Sequence, residues 1–369
     1  MKKAVIISCF GWYTERLIYI EEVLKQKGFS VTIYNSDFLH FKKERVVKSN
    51  NCNYVHVPSY KKNLSLARLY SHAVFSYRIF LILKEYKPDF VYALVPPNSV
   101  VKACSKYKKL NRNIFLVYDI IDMWPESYTG VKLLQYPFKK WRDLRDKNLA
   151  FADHVFTECD LYKSFISTKI KLISTLYLCR EEVLPYTPKE WDGHNLDVAY
   201  LGSINNIIDI PLISQLLFSL SKQLKVTFHI VGGGESKELL VNLVKTNGVQ
   251  VVDHGVIFDK PQMREIISRC HFAVNMMKKN VCVGLTIKSM DYFQIGVPLF
   301  NTIKADTTDI VEKYHCGFNV NNVQETADQI MSLDSESYRK MRENVHKVFL
   351  EMFTVDVFKQ EFEKTCLIN

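Results

Sequence analysis

The stretch with the clearest chemical potential is Val283-Gly284-Leu285-Thr286-Ile287-Lys288-Ser289-Met290-Asp291-Tyr292-Phe293, closed by Gly296-Val297-Pro298. It reads as a glycine loop running into a helix that stops at Gly296 before another strand. The first backbone N–H groups of a helix have no partner within it, and the helix dipole adds positive potential there. Gly284, Leu285 and Thr286 are therefore placed to hold an anion such as a diphosphate. Thr286 can cap the helix, and Lys288 can add a full charge. Asp291, about one turn further in, can accept hydrogen bonds from two ribose hydroxyls. The same spacing also suits a plain cap with Lys288 and Asp291 on the surface.

A second concentration of polar groups is Tyr118-Asp119-Ile120-Ile121-Asp122-Met123-Trp124-Pro125-Glu126-Ser127, at the end of an apolar run. Pro125 restricts the turn, and Asp122 or Glu126 can bind an acceptor or act as a general base. Helix capping explains these carboxylates equally well. Gly232-Gly233-Gly234-Glu235 follows a strand but lacks the spacing of a dinucleotide fingerprint, so a tight strand-to-helix turn is the better reading. No D-x-D triplet and no H-E-x-x-H occurs, so the sequence suggests no metal and no cofactor. A departing diphosphate would then rely on amides, helix dipoles and cations.

Apolar runs rich in Val, Ile, Tyr and Phe position these loops. They span 3–9, 31–34, 54–57, 90–95, 113–120 and 154–157, with helical patterns between them, notably 64–86 and 100–110. The pattern restarts after a polar hinge at Trp191-Asp192-Gly193-His194-Asn195, with runs at 196–201, 226–231, 249–252, 272–276 and 297–301. Such alternation predicts parallel sheets flanked by helices: two Rossmann-like, doubly wound α/β domains facing each other across a cleft. The expected divisions are 1–190, 191–350 and a terminal helix within 351–369 that packs back on the first domain.

The charge is uneven. Residues 1–190 carry 31 Lys and Arg against 18 Asp and Glu, a net +13, whereas the remainder is net negative. This excess suggests an anionic partner for the first domain, a membrane surface or a lipid diphosphate. One cluster comprises Lys102, Lys106 and Lys109; a second comprises Lys139, Lys140, Arg142, Arg145 and Lys147. No nucleic-acid reader motif accompanies them. The nine cysteines are scattered and form no C-x-x-C pair, which suggests buried thiols in a reducing, cytoplasmic compartment. No run of 18 apolar residues is present, and the short apolar run after Met1-Lys2-Lys3 reads as a first strand rather than a signal peptide.

Taken together, these segments resemble the bacterial GT-B enzymes of glycosyltransferase family 4, the type found in capsule and exopolysaccharide synthesis. Val198 to Ser203 is similar to the family's first donor-domain strand and glycine turn. Phe228 to Glu235 is similar to its "IVG-x-G" strand, and His254-Gly255-Val256 to its base-contacting segment. Asp291 to Pro298 is similar to "E-A-M-A-x-G-x-P", and Asp119 to Ser127 to a "D-x-x-D-L-W-P-E-S" loop. The resemblance implies a nucleoside-diphosphate sugar as donor, contacted by Gly11, Gly202, Ser203, Val256, Gly284, Leu285, Thr286 and Asp291. Lys288, Asp122 and Glu126 are the expected catalytic groups. It also implies metal-independent, retaining transfer to a saccharide or undecaprenyl-diphosphate-linked acceptor at the inner face of the plasma membrane. Three features depart from the family. Val283 replaces the first acid of Glu-x7-Glu, Ile121 replaces a sugar-contacting His, and Ser203 to Ile207 lacks the usual Arg and Lys pair. Lys288 is left as the main cation, with Lys278 and Lys279 behind it. The departures keep open an inactive GT-B partner subunit, or a GT-B sugar-nucleotide epimerase or hydrolase.

Overall fold

The computed structural model describes all residues except 12–13, 41, 47–52, 128–134, 167–168, 187 and 367–369. The chain forms two compact units, Met1–Leu178 with Val355–Asn369, and Cys179–Thr354.

The first unit runs β1 (Lys2–Ser8), α1 (Thr14–Gln26), β2 (Phe29–Ser36), β3 (Phe38–Leu39), β4 (Glu44–Arg45), β5 (Asn53–Val55), α2 (Leu66–Tyr86), β6 (Phe90–Val95), α3 (Asn98–Leu110), β7 (Phe115–Ile120), α4 (Gln135–Leu149), β8 (His154–Thr157), α5 (Asp160–Lys163) and β9 (Ile173–Thr175). Seven strands form a parallel sheet in the order β5-β2-β1-β6-β7-β8-β9, and β3 and β4 pair separately as a short antiparallel ribbon. All of β6, and β1 from Ala4 onward, is buried, as strands covered by helices on both faces require.

The second unit comprises β10 (Asn195–Leu201), α6 (Ile210–Ser221), β11 (Lys225–Val231), α7 (Lys237–Thr246), β12 (Gln250–Asp253), α8 (Lys260–Ser268), β13 (Phe272–Asn275), α9 (Ile287–Ile295), β14 (Leu299–Asn301), α10 (Asp306–Tyr314), β15 (Gly317–Asn319), α11 (Val323–Met331) and α12 (Ser335–Met352). Its parallel sheet has the order β12-β11-β10-β13-β14-β15. Side chains of Asp209, Asp259, Thr286, Asn322 and Asp334 each accept from an N–H in the first turn of the following helix, which fixes where those helices begin.

The boundary falls near residue 178 rather than 190. The Arg180 N–H donates to the Phe353 carbonyl at 2.8 Å, and His271 Nε2 lies 3.1 Å from the Glu190 carbonyl, so both ends of the 179–190 segment are bonded to the second unit. The expected hinge is not wholly polar either. Trp191 is buried in the second core, and its Nε1 donates to the Leu333 carbonyl at 2.8 Å. The last helix, α13 (Val355–Cys366), belongs to the first unit. Phe358 packs edge-on to Tyr19, and Phe362 lies against Tyr92 and Phe156.

One buried ion pair joins the elements of the first unit. Arg16 of α1 donates through Nε and Nη2 to the Asp119 carboxylate of β7 at 2.6 and 2.9 Å. It also donates to the Leu176 and Tyr177 carbonyls, and its guanidinium lies 5.0 Å from the Phe358 ring of α13. The Tyr92 hydroxyl of β6 donates to the same carboxylate. Both charged side chains are almost completely buried, so removing one strands the other without water. Asp119→Ala should therefore cost about 3–5 kcal/mol, read as a lowered urea midpoint. Replacing the pair together (Arg16→Met with Asp119→Leu) should recover most of that loss.

Candidate functional site

In the second sheet the chain leaves β10 toward β11 on one side and enters β14 from β13 on the other. The boundary between β10 and β13 is thus a topological switch point, where the loops at the strands' carboxyl ends diverge and leave a crevice. Gly202 and Ser203 follow β10, and the loop into α9 follows β13.

The amino end of α9 is held from beneath by a closed ring of side chains. The Thr286 hydroxyl donates to Asn275 Oδ1 (3.2 Å), the Asn275 amide donates to Ser289 Oγ (2.8 Å), and Ser289 and Thr286 share a third bond of 2.6 Å. Thr286 Oγ1 also accepts from the Ser289 N–H at 3.1 Å, capping the helix. The Asn275 amide reaches Asn301 in β14, which in turn donates to Asn319 in β15. Asn275, Ser289 and Asn301 are fully buried, so these groups have no water to fall back on and the ring resists displacement. On the loop's other side, the Gly284 carbonyl accepts from the Thr307 N–H and hydroxyl at 3.0 and 2.7 Å.

Lys288 extends from the first turn of α9 back over β10. Its Nζ lies 4.5 Å from the centre of the Tyr200 ring and 3.5 Å from the Tyr200 hydroxyl. It is half-buried, makes no ion pair among the described residues, and burial lowers its pKa to about 7. Tyr292, one turn on, accepts the Leu201 N–H at 2.7 Å, so α9 is pinned across the switch point by two side chains. The resulting geometry is a capped helix start beside a cation with no carboxylate counterion among the described residues, an arrangement suited to an oxyanion.

Asp291 is engaged by a residue that the sequence reading missed. Arg180 Nε and Nη2 both donate to its Oδ1, at 2.9 and 2.8 Å. The pair is about one-fifth exposed, which leaves Asp291 oriented but able to meet a hydroxyl. Arg180 lies 111 positions away in sequence, and no local pattern points to it.

The glycine triplet has a packing role. Gly232 and Gly234 adopt φ of +155° and +142°, and a Cβ there would sit 2.0 Å from the Gly202 carbonyl oxygen or 2.3 Å from that of Ile204. These turns are sewn together by Gly202 N–H to Val231, Ile204 N–H to Gly233 and Gly232 N–H to Gly255 bonds. Val256, mostly exposed, stands over Gly233.

The carboxyl edge of the first unit is aromatic. Phe10, just before Gly11 at the end of β1, meets His40, His72 and Trp124 edge-on, and the Arg68 guanidinium lies 4.2 Å from the Trp124 ring centre. Gly11 therefore lies in the first unit. Asp122 accepts the Trp124 indole N–H at 2.5 Å. Burial raises its pKa from the ordinary carboxylate value, with bonds from Ser127, Trp124 and Met123 pulling the other way. Glu126 is placed differently from the expectation of a free acid or base. Arg142 donates to it at 2.7 Å, and the fully buried Arg145 donates through two nitrogens at 3.0 and 3.1 Å. Its oxygens anchor the loop to α4. Arg145 correspondingly leaves the expected surface cluster, because Asp146 and Glu126 neutralise it in the interior.

Residues 272–362 match the model of the glucosyltransferase 3-like C-terminal domain, a stretch that contains α9 and its hydrogen-bond ring. Among curated proteins, none matches the chain in sequence. Solved structures do. The chain is similar to sucrose-phosphate synthase from Thermosynechococcus elongatus, at 12% identity over 99% of this chain and 98% of that one, with a TM-score of 0.68. It is similar to Anabaena HepE in complex with UDP-glucose, at 16% identity over 99% of both chains and a TM-score of 0.65. The lipopolysaccharide outer core galactosyltransferase WaaB aligns at 13% identity over 99% of both chains, with a TM-score of 0.68. The fold is GT-B, built from two Rossmann-like units.

The glycine packing makes a prediction. Gly234→Ala should lower stability by about 1–3 kcal/mol from backbone strain alone, whereas Gly233→Ala, which meets only a Val256 methyl group, should be nearly neutral. Thermal denaturation of the two variants checks this contrast.

Proposed function

We propose that this protein is a glycosyltransferase that takes a sugar from a nucleoside-diphosphate sugar bound on the second unit. The observation that carries the reading is the start of α9: a rigid, capped helix terminus at the switch point, with Lys288 beside it and no carboxylate among the described residues to neutralise that cation. The match to a glucosyltransferase domain model over this segment supports it, as does the likeness to HepE, which was solved with UDP-glucose.

In this reading the N–H groups of the Gly284-to-Lys288 turn and the Lys288 ammonium hold the leaving diphosphate, so charge stabilisation comes from the protein itself rather than from a metal. Asp291, oriented by Arg180, receives the ribose hydroxyls. Gly202, Ser203 and Val256 contribute backbone surface along the same edge. The acceptor is a saccharide, carried on a lipid diphosphate, at the carboxyl edge of the first unit, with Asp122 as the group available to take a proton. The family resemblance adds retention of configuration and a place in surface polysaccharide synthesis at the inner face of the plasma membrane.

The test is isothermal titration with UDP, GDP, dTDP and CMP and their sugars. One nucleoside diphosphate should bind, and Lys288→Met, which keeps the packing over Tyr200, should slow transfer about 100-fold or more without lowering the melting temperature. Failure of every nucleotide to bind would instead favour the inactive partner subunit. Binding should also take up a proton. At pH 8 the free Lys288, with its pKa lowered to about 7, is mostly neutral, and a bound diphosphate favours its charged form. Titrations in buffers of different ionisation enthalpy should show uptake at pH 8 that vanishes at pH 6, where Lys288 is already protonated, and is absent in Lys288→Met.

A further inference from the structure

Helix α2 is apolar on the wrong side. Phe75, Ile79 and Leu83 pack into the unit with no exposure, as a surface helix requires. Its outward face, however, carries Leu66, Leu69, Tyr70, Tyr77 and Leu81, with Leu66 84% and Tyr77 63% exposed. These positions recur at intervals of three, four and seven, so they form one stripe along the helix. At the amino end of α2 the stripe meets the start of α4, where Tyr136 is 67% exposed and Phe138 and Trp141 are half-buried. Leu64, Leu66, Leu69, Phe138 and Trp141 wall a cavity of about 580 Å³, with Arg68 and His72 also lining it.

The charge around this surface is predominantly basic, and Asp143 of α4 is paired with Lys147. Lys61 and Lys62 precede α2, Lys139 and Lys140 flank the aromatic residues of α4, and all four are exposed. Neighbouring α3 presents exposed Lys102, Lys106 and Lys109 and contains no acidic residue; α2 contains only Glu85. No described helix is long and apolar enough to cross a membrane.

We propose that the α2 stripe and the amino end of α4 form a docking surface for an anionic lipid bilayer. The composition decides for this occupant. Here lysines rim exposed leucines and Tyr and Trp rings, as at a headgroup boundary. Lysines of one sign then add attraction to anionic headgroups. The cavity lies at the carboxyl edge of the sheet, since Pro97, Asn98 and Ser99 after β6 also line it. Docking would bring that edge to the membrane surface, where a lipid-carried acceptor presents its sugar. In that last step the inference rests on the proposed function, while the docking itself does not.

The test uses the full chain in co-sedimentation with vesicles of phosphatidylcholine, alone or mixed with phosphatidylglycerol. The protein should bind the mixed vesicles, less so at high salt, and hardly at all to phosphatidylcholine alone. Lys139→Glu with Lys140→Glu, and separately Leu66→Ser with Tyr77→Ser, should each weaken binding about tenfold or more while leaving melting temperature and nucleotide binding unchanged. Indifference to phosphatidylglycerol, or wild-type binding by both variants, overturns the docking surface. If nucleotide binding survives in that case, the donor reading stands. Vesicle binding without any nucleotide binding would overturn the donor reading and leave the docking surface intact.

Discussion

The candidate site depends on one constraint: the amino terminus of α9 cannot move without breaking a buried hydrogen-bond ring. Asn275, Thr286 and Ser289 satisfy one another almost completely, and Asn275 ties the ring to Asn301 and, through it, to Asn319 on the next strand. Buried amides and hydroxyls gain little net energy from such bonds but lose heavily when a partner leaves. The result is a helix start whose N–H groups are fixed in direction before any ligand arrives. Preorganised dipoles of that kind do not have to reorient as charge develops, which is the reason they stabilise an anion better than water does.

Lys288 belongs to the same logic. Its ammonium lies over the Tyr200 ring, the side chain is half-buried, and no acid neutralises it among the described residues. An unpaired, partly buried cation destabilises the empty protein, and an anion relieves that cost. The opposite solution is seen at the first unit's edge. There Arg16 and Asp119, and likewise Arg145 and Glu126, neutralise each other inside the protein. Those charges fix loops and helices. Lys288 differs in this from those scaffold charges, which meet their counterions inside the protein.

Much of the fold was legible in the sequence. Apolar runs bounded by glycine or polar residues mark buried parallel strands, and the expected runs at 90–95 and 154–157 coincide with β6 and β8. The start of α9 was legible for a local reason: Thr286 caps a helix only three residues on, and Gly296 ends it in the left-handed conformation. Short edge strands such as β9 and β15 were not visible, because three residues carry no periodicity. The outward apolar stripe of α2 was hidden too. Periodicity shows that two faces differ in composition, and here both faces are apolar enough to blur the pattern.

The sequence by itself determined where the longer strands and helices form, which helix start Thr286 caps, and that the basic excess lies in the first half of the chain. Each of these depends on neighbours within a few residues, or on composition. Only the tertiary structure decided which charges are free. Glu126 and Arg145 read as available groups until folding placed them together, and Asp291 gained Arg180 from a segment 111 residues away. Such pairings are set by how helices cross a sheet, and local spacing carries no record of them.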